Sequence, residues 1–231
     1  MSPECHAMVI VAHPDDAEFG CAGTVAGWTA RGKRVVYVVC TDGEKGTADR
    51  SVHPSDLGRL RREEQQAAVR VLGVAEVVFL GYPDQGLEDC PELRKRLVRE
   101  LRAHRPAIVL TSDPYRRYLW HRDHRMIGQA VLDAVFPYAR DHLAYPDLLA
   151  EGLEPHKVQE VWLFGSREPN HRVDVVPTFS AKLAALRCHE SQVRELGIPD
   201  LEGWLRERCR GMAGDSGYEL AEAFHRVVAP G

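Results

Sequence analysis

An α/β fold, a mostly parallel sheet with helices on both faces, is what this sequence predicts. Three observations carry the prediction. Short apolar, β-branched runs alternate with amphipathic stretches of helical period over the first 136 residues. The connections between them are short, as between neighbouring elements of a parallel sheet. Two polar clusters rich in histidine and aspartate lie in the segments that leave apolar runs, where an open α/β sheet binds ligands.

The first strand is the apolar run Ala7-Met8-Val9-Ile10-Val11. It ends in Ala12-His13-Pro14-Asp15-Asp16-Ala17-Glu18-Phe19-Gly20, where Pro14 fixes a backbone angle and stiffens the turn. Residues 22–28 read as a helix. Residues 34–40 are a β-branched second strand that leaves through the glycine-punctuated loop 41–47. Residues 57–72 follow a helical pattern, with Leu60, Ala67, Ala68, Val71 and Leu72 as the apolar face and Gly73 as C-cap. A third strand, 77–80, exits through 81–86. Pro91 sits in the first turn of a helix over 91–104, as proline can. The fourth strand, 107–111, exits through 112–124 into a helix reaching about Phe136.

Beyond Pro137 the regularity weakens. Residues 138–156 read as loop, 158–164 and 172–176 as strands, and 180–193, 204–211 and 218–228 as helices. With no repeat, low-complexity tract or clear linker, 1–231 is expected to be one domain. It would have an α/β core over about 7–136 and a C-terminal extension over about 137–231.

Composition excludes several classes. The net charge is −4 and there is no basic tract, which argues against nucleic acid as a partner. No apolar run approaches the ~20 residues of a membrane span, and no leader-like segment opens the chain. The six cysteines are scattered without a Cys-x-x-Cys pair, so free thiols in a reducing cytoplasm are expected.

His13, Asp15 and Asp16 form the first cluster. Adjacent carboxylates beside an imidazole repel unless a cation or proton lies between them. A divalent metal bound by the histidine and one carboxylate would leave the other free as a base. The second cluster is His121-Arg122-Asp123-His124, after the fourth strand. Parallel strands would bring both clusters to one sheet edge. Two histidines and one aspartate with an open position suit catalytic zinc, and the same donor set also suits iron(II). A nucleotide-binding reading fails at the first turn, which lacks a Gly-x-Gly-x-x-Gly cradle and carries two carboxylates.

These paired motifs resemble the LmbE-like, PIG-L-type family of zinc-dependent N-acetylglucosaminyl deacetylases. Thr41-Asp42-Gly43-Glu44, Arg61 and Glu64 on one helix, and Lys182-x-x-Ala185-x-x-x-His189-x-Ser191-Gln192 extend the likeness from Ala7 to Gln192. The resemblance implies a Rossmann-like sheet and the metal ligands His13, Asp16 and His124. It implies Asp15 as general base, His121 as oxyanion stabiliser and Asp123 as the residue that orients a neighbouring histidine. Arg61 matches a position that binds substrate or orders the site. One departure concerns the general acid: some members place a tyrosine two residues before the histidine matching His121, and Leu119 stands there.

The resemblance also implies an N-acetylated sugar conjugate as substrate and a homo-oligomer. Residues Tyr115, Arg116, Arg117 and Tyr118 suit a lip that stacks on a sugar and binds an anionic aglycone. Trp120 is a further candidate platform. An amidase acting on a non-sugar N-acyl substrate and a non-catalytic binding protein are the competing readings.

Overall fold

The computed structural model describes residues 5–118 and 121–229; Leu119 and Trp120 lie outside them. Its sheet begins with β1 (Cys5–Val11), β2 (Arg34–Thr41), β3 (Glu76–Tyr82) and β4 (Ile108–Ser112). It is completed by β5 (Glu160–Phe164), β6 (His171–Asp174) and β7 (Ala221–Val228). The strand order is β3-β2-β1-β4-β5-β7-β6. Strands β1 to β5 run parallel. β7 runs antiparallel to β5, and β6 antiparallel to β7. From β1 the chain moves outward to β2 and β3, then returns to β4 on the other side of β1. The crevice at the C-terminal ends of β1 and β4 is therefore the topological switch point of a Rossmann-like sheet.

Alternation along β1 divides the core between the two sheet faces. Met8 and Ile10 pack with Leu93, Leu97 and Leu101 of α4 (Pro91–His104) and with Ile127 and Val131 of α5 (Arg122–Asp133). The three leucines recur at every fourth residue, and burying each contributes about 2 kcal/mol. Ala7, Val9 and Val11 face the opposite layer. That layer holds Val25 and Trp28 of α2 (Ala22–Thr29), Val69 and Leu72 of α3 (Pro54–Leu72), and Ala185 of α7 (Phe179–Arg187). A smaller cluster joins α7 to α9 (Leu201–Ala213) through Leu183, Leu186 and Leu205.

Four expectations are corrected. Residues 218–228 do not form a helix: Ala221–Val228 is β7. Its Ala-Glu-Ala stretch has helical propensity, but hydrogen bonding to β5 and β6 on its two sides overrides it. The expected helix over 180–193 breaks at Cys188 and His189 into α7 and α8 (Glu190–Leu196). Residues 138–156 include a short helix, α6 (Pro146–Ala150). The face assigned to α3 is rotated: Leu60 and Val71 are exposed, whereas Arg61, Glu64 and Gln65 are buried. Near the site this helix turns polar groups inward.

All six cysteines are free, and Cys21 packs fully buried. No helix among the described residues is long and apolar enough to cross a membrane.

Candidate metal centre and active site

The turn after β1 adopts an unfavourable backbone conformation. Asp15 has φ 100° and ψ −27° at the entrance to α1 (Asp16–Gly20). A non-glycine residue held there costs about 1–3 kcal/mol and needs neighbours that impose it. Gln65 accepts the Asp15 N–H at 3.1 Å. The buried Arg61 donates to Pro14 O at 2.6 Å, to Asp15 Oδ2 at 3.1 Å and to Gly43 O at 2.8 Å. Gly43 has no alternative: a Cβ there would lie 2.2 Å from Arg61 Nη1, and its φ is +61°.

Beside this turn donor atoms of three residues converge. His124 Nε2 lies 3.0 Å from Asp16 Oδ1. His13 Nδ1 lies 3.2 Å from His124 Nε2 and 3.5 Å from Asp16 Oδ2. A tetrahedral cation with bonds near 2.1 Å sets its ligand atoms about 3.4 Å apart. The three residues therefore fit a divalent metal.

The other nitrogen of His13 fixes which face of the ring can bind it. Nε2 lies 3.1 Å from Asp84 Oδ1 and 3.2 Å from Asp123 Oδ2. Facing two carboxylates, Nε2 keeps a proton, and Nδ1 is the nitrogen turned to His124 and Asp16. His13, Asp84 and Asp123 also form a compact donor group, as do His13, His121 and His124. The carboxylate–imidazole bonds fix the orientation of the His13 ring. Asp123 is fully buried and accepts the N–H groups of Gln85 (2.7 Å) and Leu87 (3.3 Å). Asp84 accepts the Lys45 N–H at 3.0 Å, so the loop after β2 braces it. Sequence reasoning passed over Asp84; its only signal is its position in the exit loop of β3, on the same edge as His13.

The charges respond to this crowding. Burial disfavours the cationic form of His13, but hydrogen bonds to Asp123, Asp16 and Asp84 hold its pKa well above the usual value. Burial opposes ionisation of Asp16 too, yet His124 and His13 keep it well below the ordinary carboxylate range. Asp84 overcomes burial through His13 and sits at about 2. Asp15 behaves oppositely: burial and the neighbouring Asp16 push it up to about 6 against the pull of Arg61. His121 is exposed, stacks on His124 with ring centres 4.7 Å apart, and meets the His13 ring edge-on at 4.6 Å. Partial desolvation, then His13 and His124, lower its pKa.

Elements beyond Pro137 brace the site from behind. Glu18 accepts from Gln65 at 3.1 Å and pairs with His189 Nε2 at 3.1 Å. Fully buried Lys182 meets Glu222 at 2.6 Å and donates to Glu18 O at 2.9 Å. Glu64 receives both the N–H and the hydroxyl of Ser191 at 2.7 Å. Arg61 spends its donors on the turn, so the geometry favours the ordering part of its expected role.

Two cavities open at this edge. One, of about 240 Å³, is lined by Asp16 and His124 together with Phe19, Phe164, Arg116 and Arg208. The other, of about 730 Å³, is lined by Tyr115, Arg116, Arg117 and Tyr118 on one side and by Arg167 and His225 on another. Arg116 borders both, whereas Arg117 borders only the outer one. Arg208 lies on α9, and no motif marks it in the sequence.

Donors gathered this way at the crevice of a Rossmann-like sheet are those of a metal-site hydrolase. The chain belongs to the PIG-L family, described as GlcNAc-PI de-N-acetylase, which matches residues 8–135. It is 36% identical over 220 residues to the diacetylchitobiose deacetylase of Thermococcus kodakarensis, covering 95% of this chain and 82% of that protein. A 1D-myo-inositol 2-acetamido-2-deoxy-alpha-D-glucopyranoside deacetylase of Mycobacteroides abscessus is 31% identical, with 80% of this chain and 81% of the relative covered. Among solved structures, the N,N'-diacetylchitobiose deacetylase of Pyrococcus horikoshii complexed with its inhibitor MPG superposes with a TM-score of 0.89 at 31% identity. That match covers 96% of this chain and 84% of the other.

Proposed function

We propose that this protein is a zinc-dependent N-deacetylase that hydrolyses the N-acetyl group of a small-molecule conjugate containing N-acetylglucosamine. The carrying observation is the convergence of His13 Nδ1, His124 Nε2 and Asp16 within 3.0–3.5 Å beside a strained, buried Asp15. These three residues would hold a zinc ion, which when bound would supply a water acidified to a pKa of ~7 and polarise the amide carbonyl; iron(II) suits the same donors.

Asp15, at about 6, is ionised at neutral pH and accepts the proton of the attacking water. Arg61 and Gln65 are positioning residues: they hold Asp15 in its left-handed conformation. His121, neutral because its pKa is lowered, donates a hydrogen bond to the oxygen that gains charge. Asp123 and Asp84 fix the tautomer of His13. The proton taken by Asp15 then passes to the departing amine. Tyr115, Arg116, Arg117 and Tyr118 form the rim that receives the rest of the substrate.

The proposal extends to one domain over 1–231, supported by a sheet that runs from the core into β5, β6 and β7. Free thiols support a cytoplasmic setting. A homo-oligomer follows from the family resemblance, and light scattering tests it. For the activity the test is acetate release from N-acetylglucosamine glycosides by metal-loaded protein. Release supports the reading; no release from any glycoside at full metal occupancy refutes it.

A further inference from the structure

The stretch Lys182-x-x-Ala185-x-x-x-His189-x-Ser191-Gln192 is distant from the site in sequence, yet its polar side chains reach the elements around Asp15. At the break between α7 and α8, His189 leaves helical geometry with φ −87° and ψ 58°, and its ring is fully buried. Its Nε2 lies 3.1 Å from Glu18 Oε2, across 171 residues of chain. Facing a carboxylate, that nitrogen donates. Nδ1 has no hydrogen-bond partner among the described residues, so the bond to Glu18 is the one the ring makes there. Lys182 holds the backbone of the same segment, donating to Glu18 O at 2.9 Å and to Phe19 O at 3.1 Å.

Glu18 in turn decides which way Gln65 faces. Gln65 Nε2 donates to Glu18 Oε1 at 3.1 Å, and Gln65 Oε1 accepts the Asp15 N–H at 3.1 Å. An amide has one donating end and one accepting end, whereas a carboxylate only accepts. With Glu18 on one side, the NH2 group must face it, and the oxygen is left for the Asp15 N–H. Turned over, Gln65 would set donor against donor and acceptor against acceptor. The chain of bonds from His189 through Glu18 and Gln65 to Asp15 thus has a single polarity. Apolar side chains of the same volume would stabilise this buried space as well as His189 and Glu18 do, and the unpartnered Nδ1 is itself a cost. What the pair supplies is direction. We infer that Glu18 and His189 are positioning residues, which through the Gln65 amide hold Asp15 in the left-handed turn that presents its carboxylate to the attacking water. This rests on the reading of Asp15 as base and deepens it. His189, fully buried, acts without meeting the substrate.

Kinetics of acetate release from an N-acetylglucosamine glycoside, with kcat expressed per bound metal, test this. His189→Leu has no donor and His189→Asn is too short to reach Glu18. Each should lower kcat about tenfold with KM changed by less than about twofold. His189→Gln, whose amide can place an N–H where Nε2 stands, should restore most of that loss. Gln65→Leu already cuts the chain of bonds, so adding His189→Leu to it should cost less than about a further twofold. A purely structural role would instead make the two losses multiply. Unchanged kcat in both His189→Leu and His189→Asn, or multiplying losses in the double variant, would overturn the inference. If Asp15→Asn is as active as wild type, or no glycoside releases acetate, the base reading fails, and hydrogen exchange at the Asp15 amide decides the positioning separately. Exchange about tenfold faster in His189→Leu than in wild type supports it; equal exchange overturns it.

Discussion

Gln65 Oε1 accepts the backbone N–H of Asp15 at 3.1 Å, and through this bond α3 imposes a left-handed conformation on the proposed base. Gln65 is fully buried, and its amide nitrogen is in turn fixed by Glu18. Gln65→Leu should leave the Asp15 N–H unsatisfied and let the turn relax. The expected outcome is a kcat lowered about tenfold to a hundredfold with KM little changed, since positioning errors near 1 Å cost on this scale. Steady-state kinetics on a fully metal-loaded variant checks it; unchanged kcat would contradict it.

His13 is oriented by two carboxylates, so removing either one should loosen the metal without deleting a ligand. Asp84→Asn and Asp123→Asn should each weaken metal affinity about 10- to 100-fold. Competition with a metal-binding dye measures this. The effect of Asp123→Asn should be the larger, because Asp123 is fully buried and also holds Gln85 and Leu87.

The pH profile has a predictable acid side. Asp15 must be ionised to accept a proton, so kcat/KM should rise with pH on the acid side, with the limb below the metal-free value of about 6 once a cation neutralises Asp16. Arg61 pulls this value down, so Arg61→Gln should move the acid limb to higher pH. A limb that stays in place would deny Arg61 its coupling to Asp15.

In the metal-free protein the ionisation of Asp15 bears on stability. A carboxylate whose folded pKa is raised, from 3.8 to about 6, favours the folded state below 3.8 and loses that contribution as pH rises toward 6. At neutral pH the metal-free protein therefore carries a destabilising buried anion. Asparagine removes the charge and tolerates the left-handed conformation better than most residues. Asp15→Asn should raise the Tm of the metal-free protein by several degrees at pH 7.5, and by less at pH 4. Differential scanning calorimetry at the two pH values checks the sign.

Much of this architecture is legible in the sequence because it is local. The strands of the parallel core are continuous apolar runs, and His13, Asp15 and Asp16 stand in one turn. The pairing of that turn with His121 and His124 follows from parallel topology alone. What was missed depends on distant partners. Asp84 is one polar residue in a turn until the sheet places it against His13. The strand Ala221–Val228 has helical propensity and becomes β7 only between β5 and β6. With Leu60 outward and Arg61 buried, the inward face of α3 is rotated from its apolar stripe and takes in polar groups near the site, while Ala68 and Leu72 stay in the core. Arg208 belongs to an ordinary amphipathic helix.

The proposed mechanism gives Asp15 the proton transfer and His13, Asp16 and His124 the metal. Its most direct test is to measure metal content and acetate release together in zinc-loaded wild type and Asp15→Asn. Equal metal stoichiometry and a kcat lowered by about 10²-fold or more in the variant are expected. Near-normal kcat with metal in place would contradict it.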